Sequence, residues 1–248
     1  MQPGSFQNPG LFRIKIRRDM ENVVAIIVAG GFGKRMTTSI AKQYLLLNGI
    51  PILSHTIMRF EEASSVSDII LVVPPGDSEY VQHSIVEKFD ISKVRHVREG
   101  GSQRQDSVRN GLAMVDNGDG IVLIHDGARP FITPDLIDRS VERAKESGAL
   151  VVGIPASDTV KSVEERNCIK KTLKRESIWL AQTPQVFRVD IIKKAYERAY
   201  HEGFYGTDDA EVVERMGISV EIMRGSSSNI KITTPEDLVL GEFLMRKL

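Results

Sequence analysis

Residues 29–44, AGGFGKRMTTSIAKQY, hold the densest chemistry in the chain. Gly30, Gly31 and Gly33 are followed by Lys34, Arg35 and Lys42, which place three cations within nine positions. Glycine lets the backbone take positive φ and come close to a ligand. Such a turn points several N–H donors at one spot, the geometry of an anion-binding nest. With cations beside it, the nest suits a polyphosphate. Two common glycine loops do not fit. Counting back from Gly33 and Lys34, the phosphate loop GxxxxGK[ST] would need its first glycine at Val28, and Arg35 stands where Ser or Thr is required. A dinucleotide fingerprint GxGxxG opening at Gly31 would need its third glycine at Met36. A tight turn with solvated cations is the plain alternative.

Two further stretches carry chemistry. Gly100 and Gly101 open a predicted helix with Ser107 in its first turn, where N–H groups and a hydroxyl could meet a nucleotide; ordinary helix capping explains the same residues. His125-Asp126-Gly127-Ala128-Arg129-Pro130 follows the apolar run 121–124. In open α/β sheets ligands bind at the carboxyl ends of strands. A carboxylate placed there needs a partner or a cation. Arg129 could be that partner, which makes Asp126 half of a plain salt bridge in the bland reading.

The elements that would position these groups alternate. Residues 23–29, 68–73, 94–97, 121–124 and 149–154 read as short buried strands. Helical periodicity follows from Pro51, over 77–89, after Gly101 and after Thr133-Pro134, where Gly148 ends the helix. This alternation predicts a parallel, doubly wound sheet. The period then changes. Residues 155–178 alternate with period 2 around a Glu-Glu-Arg-Asn turn and read as a β-hairpin with little apolar surface. A lone hairpin is marginal in water, so a second subunit is the natural surface for it. Residues 179–187 return to the main body. A helix over 189–202, a short helix with Thr207 as N-cap, a strand over 218–223, a short strand over 230–232 and a helix over 235–247 complete the chain. Lys231 points opposite to Ile230 and Ile232 in this pattern.

Composition narrows the class. The 248 residues fit one domain over 21–248, after an extension, residues 1–20, that is expected to be dispensable. Lys plus Arg and Asp plus Glu both number 33, so nothing favours a general nucleic-acid or membrane-surface binder. Cys168 is the one cysteine, which removes a disulfide framework and suits a cytoplasmic protein. No apolar run reaches the roughly 20 residues that span a bilayer.

The ordered set GGFGKRM, AKQY, GGSQRQDSV, HDGARP, DTVK, LAQTPQVF, TDDAE and NIKITTPEDL resembles the nucleotidyltransferases that join a nucleoside triphosphate to a sugar or polyol phosphate. More closely, it is similar to the 2-C-methyl-D-erythritol 4-phosphate cytidylyltransferase family of the non-mevalonate isoprenoid pathway. The resemblance implies a Rossmann-like, mostly parallel sheet of the nucleotidyltransferase (GT-A-like) kind. It implies a homodimer whose β-hairpin arms, about 155–178, reach across to the other subunit. It implies CTP as donor, methylerythritol phosphate as acceptor and Mg²⁺ or another divalent cation, with Asp126 beside the metal-bound triphosphate. Ala29, Gly30, Gly31 and Gly33 would line the nucleotide loop, with Gly101 and Ser107 at the cytidine. Asp126, Arg129, Thr183, Thr207 and Lys231 would face the acceptor phosphate, joined by Thr159 and Arg175 of the partner's arm. Arg35 and Lys42 match the pair credited with stabilising the transition state. The family loop often begins Pro-Ala-Ala-Gly where this chain has Val28-Ala29-Gly30-Gly31, and Gly127 is often alanine; neither departure removes a functional side chain.

Other readings stay open on sequence alone. Close relatives of this pattern use ribitol 5-phosphate. A nicotinamide-dependent oxidoreductase would share the sheet and the glycine turn, but not the cations after it. A non-catalytic nucleotide sensor would not need Arg35, Lys42, Asp126, Arg175 and Lys231 together.

Overall fold

The computed structural model describes residues 22–31 and 41–246. Gly33, Lys34, Arg35 and the extension at residues 1–20 lie outside the described residues. A seven-stranded sheet forms the centre: β1 (Asn22–Val28), β4 (Asp68–Val73), β5 (Val94–Glu99), β6 (Gly120–Asp126), β7 (Ala149–Pro155), β10 (Trp179–Arg188) and β11 (Glu221–Arg224). Its order is β11-β7-β10-β6-β1-β4-β5. Two short pairs lie outside it: β2 (Leu46–Leu47) with β3 (Ile50–Pro51), and β8 (Lys161–Val163) with β9 (Ile169–Thr172).

Strands buried on both faces need apolar residues at every position. β1 shows this: Val23, Ala25 and Ile27 enter one core, while Val24 and Ile26 enter the other. The first core packs against α1 (Ile52–Glu62) and α4 (Pro134–Ser147). The second packs against α3 (Arg104–Leu112), α5 (Val189–Glu202) and α6 (Asp209–Glu214). Between α1 and α3 lies α2 (Ser78–Val81), which continues as a wider turn through Glu87. Thr133 caps α4 through Leu136 N–H, Pro134 takes its first turn and Gly148 ends it with φ 78°.

β1 pairs in parallel with β4 on one side and β6 on the other. The chain leaves β1 for β4 and β5, then returns to place β6 on the opposite flank. The carboxyl ends of β1 and β6 therefore border the point where strand order reverses, which is where open sheets of this kind take ligands.

The sheet is mostly parallel, as expected, with β10 alone running antiparallel to both its neighbours, β6 and β7. It follows β7 by a hairpin-like return, whereas a parallel neighbour would need a crossover. The strand expected over 218–223 forms only at Glu221–Arg224, where it pairs with β7. Residues 230–232 form no ladder; Ile232 N–H donates to Ala128 O at 2.9 Å beside an irregular turn. The side-chain alternation expected there still holds, with Ile232 buried and Lys231 facing away. Asp208, not Thr207, caps α6 by accepting from Glu211 N–H at 2.9 Å.

A third apolar cluster joins Leu47, Ile52, Phe131 and Ile232, with Leu238 and Leu244 of α7 (Pro235–Met245) packed against it. It fixes the turn bearing Lys42 and the segment bearing Lys231 on one support.

Candidate active site

Two glycine turns face each other at the end of the sheet. Ala29 N–H donates to Val72 O at 2.7 Å, and Gly100 N–H donates to Val73 O at 2.7 Å. A Cβ on Gly30 would lie 3.2 Å from Ser107 Oγ, and one on Gly100 would lie 2.7 Å from it. The close approach is what excludes side chains here. Gly101 is tighter still, since its Cβ would fall 2.3 Å from Asp106 Cβ. Ser107 shapes this second turn: its Oγ accepts from Gly101 N–H at 3.1 Å and donates to Gln103 O at 3.1 Å. Asp106 closes it by accepting from Gln103 N–H at 3.1 Å and Ser102 Oγ at 2.7 Å.

These turns border a cavity of 490 Å³ that also reaches Lys42. Ala29, Gly30, Gly31, Gly101 and Ser107 line it. A second cavity of 280 Å³ carries Arg129, Thr183 and Thr207. Arg104, Asp126 and Lys231 belong to both cavities and form their common wall. Thr207 donates its hydroxyl to Glu211 at 2.9 Å. Thr159 and Arg175 line neither of these cavities; Arg175 Nη1 donates to Ser157 O at 2.8 Å within the arm.

Charge concentrates at the shared wall. Asp126 Oδ2 accepts from Lys231 Nζ at 2.7 Å and Oδ1 accepts from Arg104 Nε at 3.1 Å. Arg129 Nε lies 3.6 Å from Oδ2, so the partner expected from sequence is present but is the most distant of the three cations. Burial alone would raise the Asp126 carboxyl, but Arg104 first, then Lys231 and Arg129, outweigh it and hold it well below the usual carboxylate range.

Sequence reasoning missed Arg104 and its support. Arg104 donates through Nη1 and Nη2 to the two oxygens of buried Asp209, at 3.0 and 2.8 Å. Tyr196 donates to Asp209 Oδ1 at 2.5 Å. The available signals were an arginine just after a glycine turn and a second acid beside the helix-capping Asp208. Among the described residues, no three His, Cys, Asp or Glu side chains converge as a metal cage. No helix among them is long and apolar enough to cross a membrane.

A nucleotide-sized cavity against two glycine turns, joined by a charged wall to a second polar cavity, defines an α/β protein of the nucleotidyltransferase class. The family of 2-C-methyl-D-erythritol 4-phosphate cytidylyltransferases matches residues 23–247, and the chain belongs to it. The relative named for that activity in Syntrophus aciditrophicus (strain SB) is 50% identical over 225 residues, which cover 91% of this chain and 96% of the relative. The one in Alkaliphilus metalliredigens (strain QYMF) is 47% identical and covers 91% and 93%. Among solved structures, 4-diphosphocytidyl-2C-methyl-D-erythritol synthase from Anaerococcus prevotii superposes with a TM-score of 0.81 at 30% identity, covering 92% of this chain and 97% of that one.

Proposed function

We propose that the chain transfers the cytidylyl group of CTP to 2-C-methyl-D-erythritol 4-phosphate, giving 4-diphosphocytidyl-2-C-methyl-D-erythritol and pyrophosphate. The observation that carries this reading is the pair of cavities sharing Arg104, Asp126 and Lys231. The larger takes CTP and the smaller takes the acceptor, so the two phosphates meet at the charged wall. Relatives covering nine-tenths of the chain are named for methylerythritol phosphate, which favours that acceptor over ribitol 5-phosphate.

The acceptor's phosphate oxygen attacks the α-phosphorus in line. A P–O bond forms there as the bond to the β-phosphate breaks, and pyrophosphate leaves with the electron pair. A phosphate monoester with a second pKa of about 6 is largely dianionic at neutral pH. It needs no general base, and the work is placement and charge stabilisation. Lys42 lines the CTP cavity and acts on the α-phosphate and the departing charge; Arg35 has the same assigned role. Lys231 and Arg129 hold the acceptor phosphate, and Thr183 and Thr207 border its cavity with their hydroxyls turned to His125 and Glu211.

Asp126 is the one carboxylate among the described residues lining the CTP cavity. That donor set suits Mg²⁺, which binds through one or two carboxylates plus substrate phosphates. When bound, the ion would neutralise triphosphate charge.

The arm supports a homodimer. Val163, Ile169 and Leu180 are exposed apolar side chains at or beside it. An arm exchanged between subunits would cover them and bring Thr159 and Arg175 to the partner's acceptor cavity. A cytoplasmic setting belongs to this reading, in keeping with the exposed, unpaired Cys168.

The role of Lys42 is tested by turnover. Lys42→Ala lowers pyrophosphate release by about 100-fold, as loss of one oxyanion donor does, while circular dichroism keeps the native profile. Near-normal turnover in the folded variant would remove Lys42 from the mechanism.

A further inference from the structure

Arg104 stands at the wall common to both cavities and is gripped from behind. Two of its three nitrogens are committed to Asp209, at 3.0 and 2.8 Å. Only Nε reaches forward, to Asp126 at 3.1 Å. Asp209 is fully buried and is itself fixed by the Tyr196 hydroxyl at 2.5 Å. Neither anchor lines the CTP cavity. Their elements, α5 and α6, pack on the sheet face opposite α1 and α4.

We propose that Arg104 is a positioning residue for the transfer step, and that Asp209 and Tyr196 are the anchor that aims it. This rests on the function proposed above. The planar guanidinium suits the task because it can bridge two carboxylates in a fixed geometry, which an ammonium cannot. The bridge sets where Asp126 lies, and Asp126 in turn holds Lys231 at 2.7 Å on the acceptor side. Three cations, Arg104, Arg129 and Lys231, face two carboxylates, Asp126 and Asp209, leaving one net positive charge where two polyanions must meet.

Removing the anchor's charge therefore changes binding and turnover in opposite senses. Without the Asp209 charge, Arg104 is drawn forward onto Asp126 or onto phosphate. The wall becomes more positive, so anions bind as well or better. The reacting groups lose their alignment, and a misplacement of this kind costs about 10- to 100-fold in rate.

The test uses the full chain with CTP, Mg²⁺ and methylerythritol phosphate, reading kcat and KM from pyrophosphate release. Asp209→Asn lowers kcat by about 10- to 100-fold, with KM for CTP unchanged or lower. Arg104→Lys keeps the charge and loses the bridge, and it shows the same fall. Combining the two adds no further loss, because both break one unit. Tyr196→Phe removes a single hydroxyl, serves as the second variant should Asp209→Asn fail to fold, and lowers kcat by about three- to tenfold. Wild-type kcat in Asp209→Asn or Tyr196→Phe overturns the proposal. So does an additive double variant, or a KM that rises in step with falling kcat. A wild-type protein that releases no pyrophosphate overturns the proposed function, and the positioning role falls with it; an active wild type with unaffected anchor variants overturns the positioning role alone.

Discussion

Asp126 and His125 are neighbours with opposite fates. Asp126 is held as a carboxylate by the cations around it. His125 is sealed in the sheet, and burial pushes its imidazole down to about 3. Its hydrogen bonds fix the tautomer. Nε2 faces Arg129 O at 3.2 Å and must donate, so Nδ1 accepts from the Thr183 hydroxyl at 3.1 Å. That hydroxyl in turn accepts from Asp126 N–H at 3.1 Å. A histidine spent on holding the strand end is no general base. It should remain a neutral Nε2–H imidazole from pH 8 to about pH 5, as long-range ¹H–¹⁵N spectra would show. An imidazolium signal at pH 6 in the folded protein would contradict this. The sign for stability follows. The unfolded chain binds a proton near pH 6.5 that the folded chain refuses, so stability falls as pH drops from about 6.5 toward 3. The Asp126 carboxyl, also depressed, adds its own loss at the acidic end of that range and below. At this scale, partners close in sequence were legible. Asp126 with Arg129 lies within one turn; for Lys231, alternation with Ile230 and Ile232 set which way it points but not its pairing with Asp126. Arg104 and Asp209 are 105 positions apart, and no local pattern joins them.

Strand ends carry the site. β1, β5 and β6 deliver the two glycine turns and Asp126 to one end of the sheet because parallel strands share a carboxyl end. Those strands were legible as short apolar runs, and caps such as Thr133-Pro134 marked their helices. The direction of β10 was not, since its residues read the same either way and only the arm's return path decides it. Thr207 and Asp208 are both competent caps, and sequence could not rank them. The arm is where element and function meet. Its strands β8 and β9 are largely exposed and, among the described residues, pair only with each other. If each arm serves the opposite subunit, a mixed dimer of Lys42→Ala and Arg175→Ala subunits holds one site with both residues intact. It should recover about half the turnover of the wild-type dimer, whereas each parent homodimer is impaired. Recovery absent from isolated mixed dimers would assign Arg175 to its own chain or to no site.

Across the whole molecule, the even balance of 33 basic and 33 acidic residues hides a local excess of positive charge at the wall between the cavities. The topology puts that wall at the switch point between β1 and β6, so on the function proposed above two substrates approach from different cavities and meet over one cluster. The class of fold was legible in the alternation of strands and helices. Five residues of the second cavity, Asp126, Arg129, Thr183, Thr207 and Lys231, were named together only through the family resemblance, because they come from β6, β10 and separate turns that only the folded sheet brings together. The central claim is that this meeting point joins CTP to methylerythritol phosphate. It is tested most directly by pyrophosphate release with CTP and Mg²⁺, run in parallel with methylerythritol phosphate, with ribitol 5-phosphate and with no acceptor. Release with methylerythritol phosphate alone is the predicted result. Release with ribitol 5-phosphate alone would keep the chemistry and contradict the acceptor, and silence in all three from folded protein would contradict the transfer itself.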